Sequence, residues 1–183
     1  MWTLPNILTM SRIIVIPALV ASFFMEQPFG SHLAFVLFGL AGITDFFDGY
    51  LARATGSESK IGVFLDPIAD KLMVGAVIVM VVAVGWVSGV HVIAAVIIMC
   101  RELLVSGLRE FLAGAQVSVP VTMLAKWKTT VQMLALGALV WAKGAPEFGL
   151  PALEIGIVAL WVAAILTLYT GYDYLRAGLK HMV

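Results

Sequence analysis

The sequence predicts an all-α integral membrane protein, with a bundle of six transmembrane helices after a short N-terminal interfacial helix. Three observations predict this class. Of the 183 residues, 62% are hydrophobic and only 12% are charged, whereas soluble domains carry about 25% charged residues. Long apolar stretches alternate with short turn sequences, and the lysines and arginines cluster on one side of the predicted bundle.

The apolar stretches are of the length that membrane crossing requires, about 20 residues per helix. Residues 1–10 form the predicted interfacial helix. The six spans follow in chain order: Ser11–Met25, His32–Arg53, Asp66–Val87, Val90–Phe111, Met123–Trp141 and Pro151–Tyr174. Turn-forming Gly, Pro and Ser residues separate them. We therefore expect a single membrane domain over residues 1–183.

The basic residues predict the orientation. With the N-terminus in the cytoplasm, every lysine and arginine except Lys143 lies on the cytoplasmic side, as the positive-inside rule requires. Most acidic residues fall on the same side, and residues 72–100 contain no Asp, Glu, Lys or Arg. The sequence thus predicts an apolar outer half and a polar cavity open to the cytoplasm. The net charge of zero gives no indication of a nucleic-acid partner.

Four aspartates mark the predicted cavity. Asp45 and Asp48 are spaced i, i+3 near the end of the second helix, and Asp66 and Asp70 are spaced i, i+4 at the start of the third. Each pair therefore lies on one helical face. A short loop joins the two helices, so we expect them to be antiparallel neighbours whose aspartates face each other.

Clustered carboxylates in a membrane protein need a compensating charge. An aspartate at the centre of a membrane helix costs about 2.5–3.5 kcal/mol, and four close together also repel one another. Oxygen ligands suit Mg²⁺ or Mn²⁺, and the absence of His and Cys from this stretch argues against zinc. Two divalent cations about 3.5–4 Å apart would form a clamp suited to phosphoryl chemistry.

Structural roles are the alternatives for the same residues. Asp66 precedes Pro67, a pattern that is typical of a helix N-cap. Asp45 could instead form an ion pair with Arg12, and Asp48 with Arg53. Asp45 and Asp48 have no capping role, because the dipole at a helix C-terminus disfavours anions.

The stretch from Asp45 to Asp70 contains the motif D-x2-D-G-x2-A-R-x8-G-x3-D-x3-D without a departure. Its defined positions are Asp45, Asp48, Gly49, Ala52, Arg53, Gly62, Asp66 and Asp70. In this motif the chain resembles the CDP-alcohol phosphotransferase (phosphatidyltransferase) family, of which the motif is the signature. The opening Pro5-Asn6 and Thr9-Met-Ser-Arg12, together with Arg101-Glu102 and Lys126-Trp-Lys128, resemble the bacterial phosphatidylglycerophosphate synthase branch. The resemblance covers nearly the whole chain.

This resemblance implies a homodimer of six-span subunits in the bacterial cytoplasmic (inner) membrane, with two divalent cations. It implies transfer of a phosphatidyl group from CDP-diacylglycerol to sn-glycerol 3-phosphate, with release of CMP. By the same resemblance, Asp45, Asp48 and Asp66 are metal ligands, and Asp70 is both a ligand and the general base. The residues implied to contact the CDP part of the donor are Asn6, Thr9, Gly49, Arg53 and Ser59.

An anionic acceptor needs its own cations. Those available at the cytoplasmic ends of the fourth and fifth helices are Arg101, Arg109, Lys126 and Lys128. They are predicted to form a phosphate pocket beside the metals; membrane anchoring and pairs with Glu102 and Glu110 are the alternative. Two other functions stay open: a sister enzyme that uses inositol phosphate or another alcohol, and a cation transporter, since intramembrane carboxylates also mark ion pathways.

Overall fold

The computed structural model describes residues 4–55, 60–114 and 123–179, with the backbone alone described at positions 4, 5, 46, 48–55, 60, 61 and 63. Its helices are α1 (Leu4–Ser22), α2 (Phe29–Thr55), α3 (Lys60–Ala83), α4 (His91–Gly114), α5 (Met123–Val140) and α6 (Ala152–Leu179). A single 3-10 turn, Ala145–Phe148, lies between α5 and α6. No strand occurs in these ranges, so the all-α prediction is confirmed.

Helix α1 is continuous from Leu4 to Ser22. The predicted boundary near residue 10, between an interfacial helix and the first span, is therefore wrong. Pro5 lies in the first helical turn, where its missing N–H costs no hydrogen bond. At the expected boundary, the hydroxyl of Ser11 donates to the carbonyl oxygen of Leu8 at 2.7 Å, a contact within the helix.

Helix α3 begins at Lys60, six residues before the predicted start of the third span. Asp66 and Pro67 consequently lie inside the helix. The alternative in which Asp66 acts as an N-cap is therefore wrong. The Asp66 side chain is left available for contacts with other helices.

Two helices, α1 and α6, make most of the contacts between helices in the bundle. Helix α1 packs against both α2 and α3, whereas α6 packs against α4 and α5. Leu19, Ile98, Leu139 and Leu160 are fully or almost fully buried in the shared apolar core. Gly156 lets α6 approach α5 closely, because a Cβ there would lie 2.8 Å from the Leu139 side chain.

The outside of the bundle is also apolar. Ile14, Leu134, Val158 and Ile165 are among many large aliphatic side chains that are exposed, and soluble monomers rarely expose apolar surface on this scale. In the described part of the chain, α4 and α6 are long and apolar enough to cross a membrane. The apolar segments of α1 and α2 are shorter there. The protein is therefore a helical membrane protein, and the number of six spans stays a prediction.

Candidate active site

Helix α1 connects the two helices that carry the aspartates. The Arg12 side chain is 4% exposed; its Nη1 donates to Oδ1 of Asp45 and its Nη2 to Oδ1 of Asp66. Over the described residues, α2 and α3 each make their main contacts with α1 and not with each other. Direct packing of α2 against α3 is therefore not met over the described residues. The expectation that their aspartates face each other is supported for Asp45 and Asp66, because the Asp45–Arg12 ion pair is present and extends to Asp66.

These carboxylates have the chemistry of a divalent-cation site. The side chains of Asp45 and Asp66 are 45% and 49% exposed, so they stay accessible while they contact Arg12. Two carboxylates and one guanidinium leave a net negative charge, and carboxylate oxygens suit a hard cation. Among the described side chains no group of three or more metal-binding residues converges. Asp48 is another predicted ligand, but its side chain is not among those that the structure describes.

Asp70 lines a polar cavity of about 380 Å³ between α3, α4, α5 and α6. Arg101, Arg109 and Lys128 line the same cavity. The structure thus gathers the predicted base and three of the four predicted acceptor cations around one space. Lys126 is exposed and does not line this cavity, because it lies on another face of α5.

The cations of this cavity are held in different ways. Lys128 is 3% exposed, and its Nζ donates to Oε1 of Glu102. Arg101 also contacts Glu102 Oε1, at 3.4 Å. Arg109 is exposed and forms no ion pair with a described residue. The alternative of local Arg–Glu pairs therefore holds for Arg101 and not for Arg109.

Helix α6 anchors Arg101. Its Nε donates to the carbonyl oxygen of Thr167 at 3.2 Å, and its Nη2 donates to Oγ1 of Thr170 at 3.1 Å. Gly171 makes room for the arginine stem, because a Cβ at this position would lie 3.1 Å from Cγ of Arg101. The side chain is therefore fixed along most of its length.

A second, larger cavity of about 830 Å³ forms an apolar groove between α2 and α5. Phe35, Phe38 and Met133 contribute to its walls, whereas Asp45 and Asp70 provide carboxylates on the same lining. Asp70 thus lines both cavities. A polar pocket and an apolar groove that meet at one carboxylate provide space for a water-soluble molecule and a lipid beside the same side chain.

Comparison with known proteins decides between the enzyme and transporter interpretations. Residues 2–169 match the family model described as CDP-alcohol phosphatidyltransferase. The chain belongs to this family. Members of the CDP-alcohol phosphatidyltransferase family generally use a divalent metal, in agreement with the carboxylates around Arg12.

Relatives within the CDP-alcohol phosphatidyltransferase family match the chain over nearly its whole length. A protein of Rickettsia bellii is 49% identical, over 97% of this chain and 96% of its own. One of Haemophilus influenzae is 39% identical over 97% and 94%, and one of Cereibacter sphaeroides is 38% identical over 99% and 97%. Each is named CDP-diacylglycerol–glycerol-3-phosphate 3-phosphatidyltransferase.

The residues predicted to contact the CDP group are described only in part. Asn6 and Thr9 are each 3% exposed, and Oγ1 of Thr9 is 3.4 Å from Nη2 of Arg12. The backbone of Gly49 and Arg53 lies in α2, but the Arg53 side chain is not among those described, and Ser59 lies outside the described residues. All five contacts stay predictions for this member of the family.

Sequence reasoning missed two features of the site. Glu102, which it treated only as a competing partner, contacts two cations at once. It also gave no role to α6, whose Thr167, Thr170 and Gly171 position Arg101. Glu102 was visible beside Arg101 in the sequence. Its contact with Lys128, 26 positions later, depends on how α4 and α5 pack.

Proposed function

We propose that this protein transfers the phosphatidyl group of CDP-diacylglycerol to sn-glycerol 3-phosphate, forming phosphatidylglycerophosphate and CMP. The observation that carries the proposal is the position of Asp70, which lines both the polar cavity and the apolar groove. The names of relatives that match almost the full chain support the same substrates.

The groove between α2 and α5 suits the lipid donor. Its lining is mostly apolar, so it can accept acyl chains from the surrounding bilayer. Asp45 and Asp70 on that lining would then lie near the diphosphate. The CDP part would extend toward Asn6, Thr9, Gly49, Arg53 and Ser59.

The polar cavity suits a small phosphorylated acceptor. Arg101, Arg109 and Lys128 line it, and charge-assisted hydrogen bonds from such groups are the strong contacts that proteins make to phosphate. Lys126, exposed nearby on α5, would attract the anion toward the cavity without binding it directly. Serine carries no phosphate group, so as an acceptor it would not use the phosphate contacts that these cations offer.

The reaction is a direct displacement. Asp70 accepts the proton from the C1 hydroxyl of glycerol 3-phosphate while that oxygen attacks the phosphorus nearest diacylglycerol. The bond from this phosphorus to the bridging oxygen breaks, and CMP leaves with that oxygen. Two divalent cations, Mg²⁺ or Mn²⁺, held by Asp45, Asp48, Asp66 and Asp70, would neutralise charge on the diphosphate. The arginines and Lys128 hold the acceptor so that its hydroxyl faces Asp70.

The membrane arrangement belongs to the same proposal. The protein would cross the bacterial inner membrane six times, with the N-terminus and the active site on the cytoplasmic side. This arrangement puts every lysine and arginine except Lys143 on the cytoplasmic side, as the positive-inside rule requires. The family resemblance also implies a homodimer. Mass measurement of the purified protein in detergent should give twice the subunit mass after subtraction of the bound detergent.

The decisive test is release of CMP by purified protein from CDP-diacylglycerol in the presence of Mg²⁺. Glycerol 3-phosphate, inositol 1-phosphate and serine are offered separately, with Asp70→Asn as the control. Release only with glycerol 3-phosphate, and its loss in the variant, supports the proposal. Release with inositol 1-phosphate would identify a sister enzyme, and folded protein that releases no CMP would contradict the enzymatic assignment.

A second test addresses the lipid groove. A Cβ at Gly39, on the groove lining, would meet no atom within 4 Å, so Gly39→Leu adds an apolar side chain to the groove lining at a position with open space around its Cβ. We expect a higher KM for CDP-diacylglycerol and an unchanged KM for glycerol 3-phosphate. Gly107→Leu is the matched control, because Gly107 is equally open on α4 but lines neither cavity. Equal effects of both substitutions would argue against the groove.

A further inference from the structure

We propose that Glu102 is a positioning residue for the acceptor: its carboxylate holds Lys128 and Arg101 in the geometry that binds the phosphate of the acceptor alcohol. This inference rests on the proposed function, because it concerns the acceptor pocket of that reaction. Glu102 lies on α4 and lines the same cavity as Asp70.

One oxygen atom of Glu102 connects two helices. Oε1 accepts from Nζ of Lys128 on α5, and it also accepts from Nη1 of Arg101, its neighbour on α4, at 3.4 Å. Arg101 is fixed in turn to α6 through Thr167 and Thr170. Oε2 forms no hydrogen bond with a described residue. The carboxylate is therefore the point at which α4, α5 and α6 are tied together beside the cavity.

Lys128 depends on this contact. It is 3% exposed, and Glu102 is its hydrogen-bond partner among the described residues. A buried ammonium without a counter-charge is strongly unfavourable, and a lysine side chain has several rotamers that would take the charge elsewhere. Glu102 thus keeps a positive charge on the cavity wall where water alone does not stabilise it.

Two opposing effects make the role testable. As a negative charge near a phosphate site, Glu102 should weaken anion binding by direct repulsion. As the anchor of two cations, it should strengthen binding by fixing their positions before the acceptor arrives. We expect the second effect to dominate, because Lys128 and Arg101 both contact the same carboxylate oxygen and are directed to one cavity.

The experiment compares Glu102→Gln, Glu102→Asp and Glu110→Gln in the full-length protein with Mg²⁺. Glu110 is the matched control, since it lines the same cavity but forms no ion pair with a described residue. We expect Glu102→Gln to raise the KM for glycerol 3-phosphate about tenfold or more. The KM for CDP-diacylglycerol and kcat should stay within about threefold, Glu102→Asp should recover part of the loss, and Glu110→Gln should act by less than about twofold.

A double substitution separates positioning from a general loss of folding. If Glu102 acts through Lys128, Glu102→Gln combined with Lys128→Met should raise the KM little beyond Lys128→Met alone. The proposal would be overturned if the increase in KM in the double variant equalled the product of the increases in the two single variants. A KM that is unchanged or lower in Glu102→Gln would overturn it as well. Lower thermal stability alone, without a selective change in acceptor KM, would also overturn it.

A binding measurement distinguishes this inference from the proposed function. Glycerol 3-phosphate and inositol 1-phosphate are each added to the wild type and to Glu102→Gln, and the rise in melting temperature is recorded. A rise that the substitution removes supports the role of Glu102 even if glycerol 3-phosphate yields no CMP. Equal rises in both proteins contradict that role even if the enzyme uses glycerol 3-phosphate.

Discussion

Substitution of Gly171 by alanine should weaken acceptor binding while the protein remains folded. Gly171 lies on α6 against the stem of Arg101, and a Cβ there would lie 3.1 Å from Cγ and 3.5 Å from Nε. Because ordinary carbon contacts are longer than the first of these distances, the arginine must shift by a few tenths of an ångström. That shift moves its guanidinium away from Thr167 and Thr170, which are fixed on the same helix as the added methyl group.

The size of the effect follows from this geometry. The clash is with a flexible side chain and not with backbone, so a moderately strained arginine rotamer, at about 1 kcal/mol, is the main cost. If this cost falls on acceptor binding, the KM for glycerol 3-phosphate rises roughly fivefold. The KM for CDP-diacylglycerol should not change, because Arg101 does not line the apolar groove.

Steady-state CMP release at varied glycerol 3-phosphate measures this effect, with Gly107→Ala as the control. Gly107 is also helical, and a Cβ there meets no atom within 4 Å, so the control changes helix propensity without a clash. An unchanged acceptor KM in folded Gly171→Ala would refute the conclusion that the position of Arg101 controls acceptor binding. A loss of stability that raises both KM values equally would refute it as well.

Three further predictions concern the helix contacts and the charges. Gly156→Ala should destabilise the protein by about 1–3 kcal/mol, because its Cβ would lie 2.8 Å from the Leu139 side chain and 3.0 Å from the Leu139 backbone nitrogen. The loss should appear as a lower melting temperature in detergent. An unchanged melting temperature would contradict this packing. Lys128→Met should raise the KM for glycerol 3-phosphate about tenfold. Lys126→Met, at an exposed position, should raise the same KM by less than about threefold. A larger effect of Lys126→Met would contradict the assignment of Lys128 to the acceptor cavity. Arg12→Met should lower the free energy of unfolding in Mg²⁺-free buffer by about 2 kcal/mol, a value between those for exposed and buried ion pairs. Added Mg²⁺ should stabilise this variant more than the wild type. Thermal unfolding with and without Mg²⁺ measures both effects. Equal Mg²⁺ responses would argue that the two carboxylates released from Arg12 do not bind the cation.

The local pattern of the sequence predicted which chemical groups form the site better than it predicted which of these groups contact one another. The spacing of Asp66 and Asp70 places both on one face of a helix wherever that helix begins, so the error in the start of α3 did not affect it. The basic character of Arg101 and Lys128 likewise predicted an anionic acceptor. These inferences depend on residue type and helical period, which are properties of a single segment.

The sequence by itself determined that this is an all-helical membrane protein of the CDP-alcohol phosphatidyltransferase family with a carboxylate-rich centre. Only the tertiary structure decided that α1 supplies Arg12 to Asp45 and Asp66, and that Glu102 joins Arg101 to Lys128. The physical reason is that apolarity and helical period constrain each segment separately, whereas these contacts depend on which helices are neighbours and at what depth they meet. Pairs separated by 26 to 54 positions are fixed by packing of the whole bundle.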